Sequence, residues 1–245
     1  MKKAVLILMV AGLLGFVGIG TAIATTANLY FNGPDSTDAT YSIPGDGTAY
    51  AGPYDFTINS QSPEVRMYCD DATDNIYDDE SWTANVYSGS SLSNALWYNT
   101  KVSVTEGLTT VSATGLTLYE AMFYLTSEEM KSAANSSTGA NSMAEYQAAI
   151  WAVGDPSILS SDQYAKEDLY AAIAAVTNNS ALDSSLLSEF EVYSYAGGGV
   201  IPPTDGAPPQ EFIRYVPEPN SLIFLGFSLL MVAGAVTLKV RKAHA

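Results

Sequence analysis

Two uncharged apolar runs, one near each end, confine what this chain can fold into. Residues 4–20 follow Lys2 and Lys3, and residues 222–238 precede Lys239, Arg241 and Lys242. Neither run has the polar face that a helix on a globular surface needs. A folded domain therefore has to be assembled from residues 25–215 between them. That span is the size of one domain or a domain in two parts.

The first run has the three parts of a secretory signal: the lysine pair, the apolar stretch, and Ala22-Ile23-Ala24 as a small-x-small site. Cleavage after Ala24 would remove residues 1–24; an uncleaved anchor is the alternative. The second run, seventeen apolar or small residues, is just long enough to span a bilayer as a helix over 222–238. Lys239, Arg241 and Lys242 would hold its end on the cytoplasmic side. Val216-Pro217-Glu218-Pro219 stands ahead of it. This order over residues 216–245 resembles the PEP-CTERM sorting signal of Gram-negative bacteria. The resemblance implies export through the inner membrane and an exosortase, a membrane transpeptidase, as a partner. That enzyme would cut near Pro-Glu-Pro and leave the protein at the cell surface or outside the cell. An ordinary single-pass anchor is the alternative.

The region between is strongly acidic. Of 26 acids all but Glu218 lie there, against Arg66, Lys101, Lys131, Lys166 and Arg214, so it carries about −20. Such a surface repels nucleic acid and anionic lipid. The only histidine, His244, sits in the tail, which removes Ser-His-Asp triads, Cys-His pairs and histidine-ligated metals from this region. One cysteine permits no internal disulfide. Paired carboxylates for glycoside hydrolysis are available by count, but none sits in a recognisable motif. The run DDATDNIYDDE offers Asp70, Asp71, Asp74 and Asp78 as oxygen ligands for a structural calcium ion. EF-hand offsets fail there, and a solvated loop is the favoured reading.

The expected fold is mainly β, a sandwich or barrel, with an inserted α-helical cluster. Residues 25–114 read as strands, because aromatic and β-branched runs such as Tyr54-Asp55-Phe56-Thr57-Ile58, 65–69, 82–87 and 96–104 are separated by Gly, Pro, Asn and Ser. Residues 116–177 read as helices, opened by the possible capping boxes Thr117-x-x-Glu120, Thr126-x-x-Glu129, Ser142-x-x-Glu145 and Ser160-x-x-Gln163. Residues 188–195 return to strand, which closes an ectodomain over 25–196, and the Gly- and Pro-rich 197–215 reads as a linker.

A lone thiol on an exported protein is buried, paired outside the chain, or used chemically. Cys69 follows Tyr68 at the end of an expected strand, and Tyr146-Gln147-Ala148-Ala149-Ile150-Trp151 has the form apolar-Gln-x-x-apolar-Trp. These two motifs resemble the thioester domains of Gram-positive surface adhesins. The resemblance implies an internal thioester between the Cys69 sulfur and the Gln147 side-chain carbonyl. Tyr68, Tyr146, Ile150 and Trp151 are candidates for the dry wall around it. A thiolate leaves far more readily than an amide nitrogen, so the bond is a stored electrophile. An amine or hydroxyl on a partner could open it without an enzyme, through proximity. The alternative is an ordinary amphipathic helix with Gln147 in solvent and Ile150 and Trp151 in the core. At the level of function, the readings are a single-use covalent adhesin-like module, a non-covalent structural or biofilm-matrix protein with a buried free cysteine, and a distant third, a carboxylate hydrolase.

Overall fold

A computed structural model describes residues 25–35, 39–45, 47–72, 76, 80–134, 139–179, 186–200 and 210–216. Six strands close into an antiparallel barrel: β1 (Thr25–Pro34), β4 (Tyr54–Ile58), β5 (Val65–Cys69), β10 (Phe212–Tyr215), β9 (Phe190–Val200) and β6 (Ser81–Tyr87), in that order around the wall. Two hairpins stand outside it, β2 (Thr40–Ile43) with β3 (Gly47–Tyr50), and β7 (Lys101–Glu106) with β8 (Thr109–Thr114). The helices are α1 (Leu116–Ala133), α2 (Gly139–Trp151), the short α3 (Ser157–Ser161) and α4 (Gln163–Asn178).

Strand alternation fills the barrel. In β1, Ala27, Leu29 and Phe31 are buried while their neighbours face outward, the period of two that a pleated strand imposes. Phe31, Tyr54, Phe56, Trp82 and Phe212 meet there as tilted and edge-on rings. Phe212 stands 4.8 Å from Phe56, 5.7 Å from Tyr54 and 6.2 Å from Trp82, the offset geometry that aromatic quadrupoles favour. α1 packs against the helices α2 and α4, and α2 also meets the barrel at β5. It buries Leu118, Tyr119, Ala121, Met122, Phe123 and Leu125, so little of its circumference is left for solvent. Phe123 stacks on Phe190 of β9 at 5.0 Å and joins the two layers.

The mainly-β expectation with a helical insertion holds, and the β part is a barrel. Several boundaries differ. The expected linker is partly wall: Gly197 to Val200 continue β9, and Phe212 to Tyr215 form the strand that closes the barrel. Gly197 and Gly198 take positive φ, 109° and 72°, where the β6–β9 register shifts opposite Thr83. Their freedom serves a bulge rather than a flexible tether. The Thr126 box opens no helix, because α1 runs through it. The Thr126 hydroxyl instead donates to the Met122 carbonyl one turn back. α1 is capped at Gly115, α2 begins three residues before Ser142, and α4 is capped by Asp162 in place of the Ser160 box. The Asp162 carboxylate accepts from the Tyr164 and Ala165 amides at 2.9 and 3.1 Å. Residues 89–94, ahead of the expected strand over 96–104, form a 3-10 helix, and a turn follows, so that strand begins only at Lys101. The signal, the 222–238 run, Pro217, Glu218, Pro219, Lys239, Arg241 and Lys242 lie outside the described residues. Among those described, no helix is long and apolar enough to cross a membrane.

Candidate functional site

Cys69 ends β5 directly opposite Phe212 of β10 and is fully buried. Its position on the pleat sends the side chain to the same side as Phe212, with Tyr54 of β4 among the groups that feel its charge. The thiol donates to the Asp71 carbonyl at 3.0 Å. Burial pushes the thiol well above its usual range, and the Asp71 and Asp70 carboxyls push it further. The Asp71 backbone N–H and the Trp151 indole N–H oppose that rise. The indole N–H is close enough to favour a thiolate but falls short of hydrogen-bond geometry with any acceptor.

Gln147 reaches the same place from α2. It is fully buried, and its Nε2 donates to the Cys69 carbonyl at 2.5 Å. With the amide nitrogen so engaged, Oε1 is left buried without a hydrogen-bond partner. That is an expensive state for a side-chain carbonyl, on the order of 1–3 kcal/mol. Ala148 and Ala149, both fully buried, let the helix approach the strand closely. Ile150 and Trp151 follow at three and four residues, on the same face, and are equally enclosed. The β2 hairpin covers the far side, where Tyr41 meets the Trp151 ring edge-on at 6.4 Å. A helix with Gln147 in solvent is not what the chain forms.

Two of the expected wall residues lie elsewhere. Tyr68 precedes Cys69 on a strand and so points to the opposite face, with Ile213 as its register partner. It lines an outer groove of about 420 Å³ with Val65, Arg66, Met130, Arg214 and Tyr215. Tyr146 is half-buried, and the charges that raise its pKa after burial are Asp168 and Glu128, away from the sulfur. The residues around the cysteine that sequence missed are Tyr54, Tyr41 and the acids that follow Cys69.

Those acids do not form the expected solvated loop at their start. Asp70 and Asp71 are buried, as is Glu80; Asp74 and Asp78 lie outside the described residues. Among the described residues no group of three or more His, Cys, Asp or Glu is placed to hold a metal. Asp70 instead faces Glu211, two residues before β10 closes on β5 at Ile213 and one before Phe212. The two backbones are joined there by the Asp70 amide donating to the Glu211 carbonyl at 3.2 Å. Glu211 accepts from the Leu96 amide at 3.1 Å, from the Tyr119 hydroxyl at 2.8 Å and from the Ser194 hydroxyl. Asp70 has no donor on either oxygen, yet its carboxyl meets that of Glu211. Two carboxylates are both acceptors, so they bond only with a proton between them. Burial, then the Glu211 charge, pushes Asp70 well above the usual carboxylate range; burial raises Glu211 too, against the pull of its donors. No sequence signal marked Glu211, which follows a Pro-rich stretch.

Chemically, the site holds a neutral thiol and a primary carboxamide in a water-excluded seam between a strand end and a helix. No family model, no curated protein and no solved structure matches the chain.

Proposed function

We propose that Cys69 and Gln147 join as an internal thioester, and that the protein is an exported, single-use covalent binding module rather than a turnover enzyme. The observation that carries this reading is the Gln147 carboxamide, fully buried, resting on Cys69 with its Oε1 unpartnered. A purely structural glutamine at that depth would be expected to satisfy both ends of its amide. The Cys69 sulfur attacks the Gln147 carboxamide carbon, the C–N bond breaks, and the thiol proton leaves with the amide nitrogen as ammonia. The buried setting then keeps water from the bond. A partner's primary amine or hydroxyl opens it, forming an amide or ester at Gln147 and returning the proton to sulfur. The resemblance to adhesin thioester domains supports the same chemistry.

The sorting signal supports a place for it: export across the inner membrane, processing by an exosortase near Pro217-Glu218-Pro219, and a final position at the cell surface or in the matrix of a Gram-negative bacterium. Val216, the first residue of that signal, is tied to the fold by its amide, which donates to the Glu189 carbonyl at 2.7 Å. Incubation of the purified protein with methylamine tests the chemistry. The reading expects one methylamide at Gln147, with a newly reactive Cys69 thiol, and no incorporation in Cys69→Ala. Equal labelling of Cys69→Ala, or none in the wild type, would leave a non-covalent matrix protein with a buried cysteine.

A further inference from the structure

Cys69 is followed by three carboxyls that its proposed chemistry does not consume: Asp70, Asp71 and Glu211, all buried. A buried charge acts strongly on its neighbours because little water screens it. Asp70 faces Glu211 and Asp71, and Tyr119 of α1 lies in the field of both Asp70 and Glu211. Glu211 faces Asp70, Asp71, Tyr119 and, from β6, Tyr87. None of the ion pairs among the described residues involves Asp70 or Glu211. Glu211 is held by neutral donors only, the Leu96 amide and the Tyr119 and Ser194 hydroxyls. The pair therefore carries one negative charge when it shares a single proton, and none when both carboxyls are protonated.

That charge bears on the bond at Cys69 through Asp70, whose carboxyl, next after that of Asp71, raises the thiol, while Glu211 acts on the sulfur only by way of Asp70. Opening a thioester places negative charge first on the carbonyl oxygen and then on the departing sulfur. An anion beside the sulfur disfavours both, and a thiol that holds its proton tightly is a poor leaving group. We propose that the Asp70–Glu211 carboxyl pair is a graded restraint on the thioester: singly protonated, it slows nucleophilic opening at Cys69, and doubly protonated, it lifts that restraint. This rests on the thioester reading above. It assigns Asp70 and Glu211 as positioning residues that set the reactivity of the site without touching the incoming nucleophile. The balance of the opening step is unchanged: the nucleophile's N–C bond forms, the C–S bond breaks, and the nucleophile's proton ends on sulfur.

The test uses hydroxylamine, a weakly basic amine nucleophile, at fixed free-base concentration over a pH series. Thiol release at Cys69 is followed in the wild type, Asp70→Asn, Glu211→Gln and the double variant. The wild-type rate is expected to rise severalfold as pH falls through the range where the pair binds its second proton, because the leaving thiol then holds its proton less tightly. Each single variant keeps one carboxyl, so its step is expected at a shifted pH, and Asp70→Asn combined with Glu211→Gln, which leaves neither, is expected to be flat across that range. Superimposable profiles for all four would overturn the restraint while leaving the thioester standing. A wild type that lacks the ammonia deficit would remove both. Should Asp70→Asn fail to fold, Tyr119→Phe takes its place. It removes one donor to ionised Glu211, so the step is expected to move to higher pH, and an unmoved step counts against the proposal.

Discussion

Replacing Trp151 by alanine probes the seam between α2 and β5 most sharply. The indole is 1% exposed, packs edge-on to Tyr41 at 6.4 Å, and stands beside the Cys69 sulfur. Truncating an aromatic so enclosed removes its burial and leaves a cavity, together about 3–5 kcal/mol. That is a large part of the roughly 5–15 kcal/mol that holds a domain folded. With a urea dependence of about 2–3 kcal/mol per molar, the midpoint should fall by about 1–2.5 M. Trp151→Phe separates volume from polarity. It keeps most of the ring and deletes an N–H that has no acceptor, and relief of that unsatisfied donor offsets part of the lost packing. Its midpoint should therefore lie much nearer the wild type than to Trp151→Ala. The assay is equilibrium urea unfolding followed by far-UV circular dichroism, with thiol accessibility of Cys69 measured in native buffer. If Trp151→Ala moves the midpoint by less than about 0.3 M and leaves Cys69 inaccessible, the wall described here is wrong.

Three further perturbations test other parts of the structure. Glu129 is fully buried in α1 with both carboxylate oxygens unpartnered, and burial raises it well above the ordinary range. A raised carboxyl favours the fold below its unfolded value and loses that contribution as pH rises through its folded value. Glu129→Gln should therefore be the more stable protein at pH near and above neutral and lose that advantage in acid, as thermal melts at several pH values would show. Gly154→Ala places a Cβ 2.6 Å from the Trp97 ring, so a destabilisation of about 1–3 kcal/mol is expected in the same urea assay. Asp162→Ala removes both hydrogen bonds that cap α4 and should lower stability by about 1 kcal/mol.

Much of the wall was legible because Tyr54 to Ile58, Val65 to Cys69 and Ser81 to Tyr87 carry the aromatic and β-branched residues that suit a pleated, half-buried surface. Closure was not. β10 is four residues long and follows a Pro-rich stretch, and it belongs to the barrel only because Phe212 and Ile213 find Cys69 and Tyr68 across the chain. Gly197 and Gly198 look like tether residues in sequence, whereas the bulge opposite Thr83 requires their positive φ. Capping boxes misled for a local reason. A Thr three residues before a Glu fits a helix interior equally well when the hydroxyl bonds back to the preceding turn, as Thr126 does.

The Cys69–Gln147 juxtaposition was read from two short motifs, and the structure brings their backbones and the Gln147 amide together. The wall was read less well. Adjacent strand residues face opposite ways, which takes Tyr68 to the outer groove, and adjacent helix residues diverge by about 100°, which turns Tyr146 aside. Tyr54 and Glu211 reach the site by long-range pairing alone, and neither has a local sequence signature.

Mass spectrometry of the peptides that carry Cys69 and Gln147, prepared from the folded protein under acidic, non-nucleophilic conditions, weighs the joined state directly. The account predicts a cross-linked pair lighter by one ammonia than the two separate peptides, and full-mass peptides in Cys69→Ala. A free thiol at Cys69 beside an intact Gln147 carboxamide in the native protein would contradict it.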